Sequence, residues 1–103
     1  MVTKPGLGID EIISNKREEI LRLAAKHGAS NVRVFGSVAR GEANSDSDVD
    51  FLVTWDYERK SSWGGVELDT ELEALLGRKV DVVSDKGLFW YIRDRVLREA
   101  IPV

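Results

Sequence analysis

No cysteine occurs among the 103 residues. Disulfide frameworks and thiolate metal sites are therefore excluded, and the composition fits a reducing cytosol. The single histidine, His27, cannot build a histidine-based zinc site. Apolar runs are short, and none approaches the ~20 residues of a membrane span. The opening stretch MVTKPGLGIDEII lacks the apolar core of a signal peptide. These features imply no membrane association and a cytoplasmic location. Neither sign of charge dominates: 15 basic against 18 acidic residues give a net charge of −3. The chain is thus not an electrostatic nucleic-acid binder, and no direct DNA binding is expected. What is there, 43% hydrophobic and 32% charged residues, is the composition of a soluble globular protein rather than a disordered tail. By length, residues 1–103 read as one domain, small enough to keep a large share of its surface exposed.

Along the chain, SNKREEILRLAAKHGA (Ser14 to Ala29) predicts an amphipathic helix, with Ile13, Ile20, Leu23, Ala24 and His27 at helical spacing. Asn15 and Glu18 resemble a capping box, and Gly28 suits the helix end. NVRVF predicts a short strand, and GSVARGEANSDS a turn with one helical turn after Ser37. DVDFLVTW is the clearest strand, rich in β-branched and aromatic residues. After the loop DYERKSSWGG come a helix, VELDTELEALLG, a third strand, RKVDVVS, and a last helix, LFWYIRDRVLREAI, stopped near Pro102. The expected fold class is α/β (α+β): a small mixed sheet of about three or more strands with helices packed on it.

Strand side chains alternate in direction. Asp48 and Asp50 share one face with Leu52, while Val49, Phe51 and Val53 share the other. Asp81 points opposite to Val80 and Val82. Each strand thus has a core face and an acid face, and pairing them side by side gathers three carboxylates. Two carboxylates ~6 Å apart repel by roughly 3 kcal/mol at an effective dielectric of ~20. Divalent cations offset that repulsion, and hard oxygen ligands suit Mg²⁺. An Asp-x-Asp on a solvated strand face also arises readily by chance, so the surrounding motif matters more.

Two common motifs do not match. Gly36 and Gly41 have P-loop spacing, but Glu42 and Ala43 stand where Lys and Ser/Thr belong. Asp46, Asp48 and Asp50 start like an EF-hand loop, but Phe51 replaces its glycine and Tyr57 its final glutamate. Gly36-Ser37 directly after a strand remains. Glycine permits close approach of a phosphate to the backbone, the turn after it offers N–H groups, and Ser37 adds a hydroxyl.

The combination of Gly36-Ser37, ten intervening residues, Asp48-x-Asp50 and a later strand Asp81 resembles the DNA polymerase β-type nucleotidyltransferase superfamily. The run FGSVARGEANSDSDVDFLV, with LEALLGRKVDVVS and LREAI, is similar to its minimal nucleotidyltransferase (MNT) branch. The resemblance implies the nucleotidyltransferase core fold. It also implies Gly36 and Ser37 on the nucleotide triphosphate, Asp48 and Asp50 on two Mg²⁺ ions, and Asp81 completing the triad as metal ligand and base. Members of this branch are similar to antitoxins that transfer AMP from ATP to a tyrosine of a HEPN-domain ribonuclease toxin. Phe89-Trp90 is bulkier than the family pattern.

The remaining candidates are less specific. Arg40 could reach a phosphate or pair with a nearby acid. Ser47 could orient the start of the Asp48 strand or cap the turn, and capping is favoured. His27 reads as structural. Arg93, Arg95 and Arg98 read as a solvated face, and Trp55, Tyr57 and Trp63 as core or partner packing. No Ser/His/Asp or Cys/His set competes, and nucleotidyl transfer needs charge neutralisation and in-line positioning rather than a side-chain nucleophile. The expected activity is therefore an Mg²⁺-dependent protein adenylyltransferase using ATP, with a HEPN toxin as partner. The alternatives are an antitoxin acting by binding alone, transfer to a small molecule, or a nucleotide-sensing subunit.

Overall fold

The computed structural model describes residues 6–56, 58 and 64–103. Two short elements open it: helix α1 (Ile9–Ile12), then helix α2 (Arg17–Lys26). Ser14 adopts φ +52°, which stops α1 and delays α2 beyond the expected start. The Asn15–Glu18 capping box consequently does not form, and Lys16 holds the N-cap position without a side-chain bond. The apolar stripe lies where its spacing predicts: Ile13, Ile20, Ala24 and His27 are buried and Leu23 is partly buried. Gly28, at φ +82°, turns the chain out of α2.

Strand β1 (Ala29–Phe35) follows, then the single-turn helix α3 (Gly36–Ala39), strand β2 (Val49–Trp55), helix α4 (Gly64–Leu76) and strand β3 (Val80–Ser84). A 3₁₀ turn (Asp85–Gly87), helix α5 (Trp90–Glu99) and a two-residue strand β4 (Ile101–Pro102) complete the order. α1 and β4 add to the elements expected from sequence. α5 also ends earlier than expected, because Ala100 is extended (ψ 136°) and Pro102 disfavours a helical Ile101.

The four strands form one mixed sheet in the order β3-β2-β1-β4. β1 pairs antiparallel with both β2 and β4, and β2 pairs parallel with β3 through the α4 crossover. A bulge between Ser30 and Arg33, with Asn31 at φ +51°, resets the alternation of β1. Ala29, Val32 and Val34 can therefore all face the core. They join Val49, Phe51, Val53 and Trp55 of β2 and Val80 of β3 under Ile20 and Ala24 of α2 and Leu68 and Leu72 of α4. Each large aliphatic side chain so buried contributes about 1.5–3 kcal/mol. Trp55 is thus a core residue, while Tyr57 and Trp63 lie outside the described residues. No described helix is long and apolar enough to cross a membrane.

Candidate active site

The opposite sheet face carries the acids. Asp50 of β2 and Asp81 of β3 are direct partners in the parallel ladder, so their side chains leave the same face of adjacent strands. Asp48 stands two residues before Asp50, in the loop immediately before β2, and is half-buried; Asp81 is exposed. Leu52, on the same face, is fully buried, so that face is not wholly solvent-facing. Partial burial, and then the charges of Asp81 and Asp48, push the Asp50 carboxyl up to about 6; Arg40 opposes the shift.

The loop that delivers Asp48 is held from both sides. Asn44 N–H donates to Ser47 Oγ at 2.9 Å, which makes Ser47 a turn cap. Arg78 Nη1 donates to the Asn44 and Ser47 carbonyls at 2.9 and 3.1 Å. Val49 N–H donates to Lys79 O at 2.9 Å and so ties the start of β2 to β3. Arg78 is a positioning residue that sequence alone did not reveal, because its partners are backbone carbonyls about 30 residues away.

Gly36 lies where β1 turns into α3, at φ +74°. A Cβ there would overlap Asp50 Oδ2. The glycine is thus required twice: by its backbone conformation and by the Asp50 carboxylate packed on its α-carbon. Phe35 is the β-ladder partner of Asp50, which explains the close approach. Ser37 is half-buried in α3. Arg40 follows α3 and donates from Nε to Glu42 Oε1 at 2.8 Å and from Nη1 to Glu99 Oε1 at 2.7 Å. Hydrogen bonds to Glu42 and Glu99, with the Glu99 charge, hold its guanidinium above its ordinary range. Glu99 Oε2 also accepts from Gly36 N–H at 2.7 Å. A cleft of about 250 Å³ opens beyond α3, lined by Gly8, Ile9, Val38, Arg40, Gly41 and Ile101. It includes Arg40 but none of the three acids, so this cleft and the acidic face are separate places on the surface.

The donor set suits a hard divalent cation: three carboxylates, of which Asp50 has its carboxyl pushed up by burial and then by its neighbours' negative charge. The three side chains share a face without closing into a ligand set. Among the described residues, no group of three or more His, Asp or Glu is close enough to chelate an ion. The ladder sets backbone register, whereas like-charge repulsion opposes the last approach of the carboxylates. A further acid, Asp69 of α4, is also near. Burial, then the charges of Asp81 and Glu73, push its carboxyl up to about 6, and its Oδ1 is buried without a hydrogen-bond partner. Elsewhere, His27 is buried between Glu67 and Glu71 at 3.5 and 3.2 Å. Arg93, Arg95 and Arg98 are exposed on α5, as are Phe89, Trp90 and Tyr91 at its start.

Comparison with known proteins identifies the family. The profile of the nucleotidyltransferase domain matches residues 13–103. The chain belongs to the nucleotidyltransferase family, in its minimal nucleotidyltransferase (MNT) branch. Protein adenylyltransferase MntA of Thermococcus cleftensis is 42% identical over 95 residues, 92% of each chain. A Methanocaldococcus jannaschii chain described as a protein adenylyltransferase is 38% identical over 91 residues, 88% of this chain and 97% of that one. A solved structure described as a minimal nucleotidyltransferase superposes with a TM-score of 0.76 at 53% identity, covering 85% of this chain and 89% of that one. A toxin–antitoxin complex solved with AMP-PNP shares the fold at 20% identity and a TM-score of 0.70, over 84% of this chain and 70% of that one.

Proposed function

We propose that this chain is an Mg²⁺-dependent protein adenylyltransferase that moves AMP from ATP to a tyrosine hydroxyl of a cognate HEPN ribonuclease toxin, and so acts as the antitoxin in the cytoplasm. The observation that carries it is the Asp50–Asp81 pair on one sheet face, with Asp50 packed on the Gly36 turn. The names of relatives at 38% and 42% identity support adenylyl transfer to protein. The toxin class and the tyrosine rest on the resemblance to the MNT branch.

Asp48, Asp50 and Asp81 would hold two Mg²⁺ ions, which when bound neutralise charge on the transferring phosphorus and the leaving pyrophosphate. The Gly36 N–H, the Ser37 hydroxyl and Arg40 grip the triphosphate. Asp81, exposed at the face, takes the proton of the acceptor hydroxyl. The acceptor oxygen bonds to the α-phosphorus as the bond from that phosphorus to the α,β-bridging oxygen breaks, and pyrophosphate leaves. The protein supplies position and charge, and the acceptor supplies the nucleophile.

Incubating the chain with its partner toxin, ATP and Mg²⁺, followed by intact-mass measurement, should show the toxin gaining whole AMP units on tyrosine. A neutralised toxin of unchanged mass would overturn the transferase and favour inhibition by binding alone.

A further inference from the structure

Arg40 and the Gly36 N–H are two of the groups assigned above to the nucleotide phosphates, and both already hold an anion. Glu99, the last residue of α5, divides its carboxylate between them: Oε2 on Gly36 N–H and Oε1 on Arg40 Nη1, each at 2.7 Å. Desolvation opposes its charge, but the hydrogen bonds from Arg40 and Gly36 outweigh it and hold the carboxyl below the usual range. A carboxylate and a phosphate present the same feature to these donors, a pair of anionic oxygens.

The two anions exclude each other. A backbone N–H carries one hydrogen and makes one good bond. A phosphate beside the retained carboxylate would also add like-charge repulsion at close range. The hold is loose enough to open. Arg40 is 46% exposed, so its pairing is solvent-screened. Beyond Glu99 the chain is tied to β1 by the two-residue strand β4, both residues exposed, and by Val103 N–H on Val32 O at 3.0 Å. Short, exposed edge pairings open locally at low cost.

We propose that Glu99 is a built-in occupant of the phosphate subsite: the corner between α5 and β4 latches Gly36 and Arg40, and the nucleotide triphosphate displaces the Glu99 carboxylate to reach the same donors. The proposal rests on the nucleotide-binding reading above and adds regulation to it. The exchange breaks no covalent bond. It couples nucleotide arrival to movement of the C-terminal corner, which also carries Ile101 at the rim of the cleft.

Glu99→Gln keeps the size and removes the competing charge. Calorimetric titration of the full chain with a non-hydrolysable ATP analogue, and separately with tripolyphosphate, should give roughly tenfold tighter binding in Glu99→Gln, because the cost of opening the latch is removed. Equal or weaker binding in a folded Glu99→Gln, with the unaltered chain binding normally, overturns the latch alone. Binding by neither protein overturns the nucleotide reading and the latch with it. Should Glu99→Gln fail to fold, NMR on the unaltered chain decides. The Glu99 carboxyl carbon and the Gly36 amide should shift together as the ATP analogue saturates, and adenosine should leave both in place. A Glu99 signal unmoved at saturation, or moved equally by adenosine, overturns the proposal.

Discussion

Two neighbouring residues at the site should respond in opposite ways to substitution. Gly36→Ala places a Cβ at φ +74° and against Asp50 Oδ2. It should cost about 2 kcal/mol from the left-handed backbone alone and should displace Asp50, lowering both the Tm and nucleotide affinity. Asp50→Asn keeps the shape and removes one charge from a crowded set. Its carboxyl is already pushed up by burial, Asp81 and Asp48. Stability without metal should therefore stay level or rise by about 1 kcal/mol after solvent screening, while AMP transfer is lost. Thermal melts in EDTA beside one transfer assay check the contrast. A melt several degrees lower for Asp50→Asn would mean that this carboxylate holds the fold together instead of serving the site.

At the scale of elements, helix α4 contributes an acid that the motif did not include. The Asp69 carboxyl is pushed up to about 6 in the folded chain, against about 3.9 unfolded. Between those values the folded state binds more protons than the unfolded, so stability rises as pH falls through that window. Asp50 acts in the same direction. Glu71 and Glu99 act oppositely: their carboxyls are held low, so their contribution is present above the usual glutamate range and is lost as pH falls through the lowered values. Without metal, Tm should therefore be higher at pH 5 than at pH 7, by about 4 °C, and fall again in stronger acid. Asp69→Asn should reduce the rise between pH 7 and 5. A Tm that falls steadily from pH 7 to 5 would show that neither acid is strained at neutral pH.

Across the whole molecule, the sheet divides labour between its faces. α2 and α4 cover one face with a continuous apolar cluster, and the other face carries the acids, Gly36 and the end of α5. Stability should therefore depend on the first face. Leu72→Ala, at a fully enclosed position on the sheet-facing side of α4, should cost about 2–4 kcal/mol in urea unfolding. Trp90, 86% exposed at the start of α5, should change stability by less than about 0.5 kcal/mol when replaced by Ala. A comparable loss from both would contradict the layering.

Much of this was legible in the residue order, because alternation and helical spacing are local. They placed β1, β2, β3 and the helices α2, α4 and α5, and they put Asp48 and Asp50 on the face opposite Val49 and Phe51. The Gly-Ser and Asp-x-Asp spacing, with the later strand Asp81 and the runs around them, carried the resemblance to the family, and the family profile matches residues 13–103. Local pattern could not supply what depends on pairing at a distance. Only the parallel register of β2 and β3 brings Asp81 beside Asp50, since periodicity fixes a side chain's face but not its neighbour. Strand β4 is two residues long and exists only through β1. Arg78 and Glu99 lie within runs that resemble the family, LEALLGRKVDVVS and LREAI, but their roles come from carbonyls and amides contributed by remote parts of the chain. Glu99 meets Gly36 across 63 positions, a contact that no local propensity encodes and only the folded packing of α5 against α3 creates.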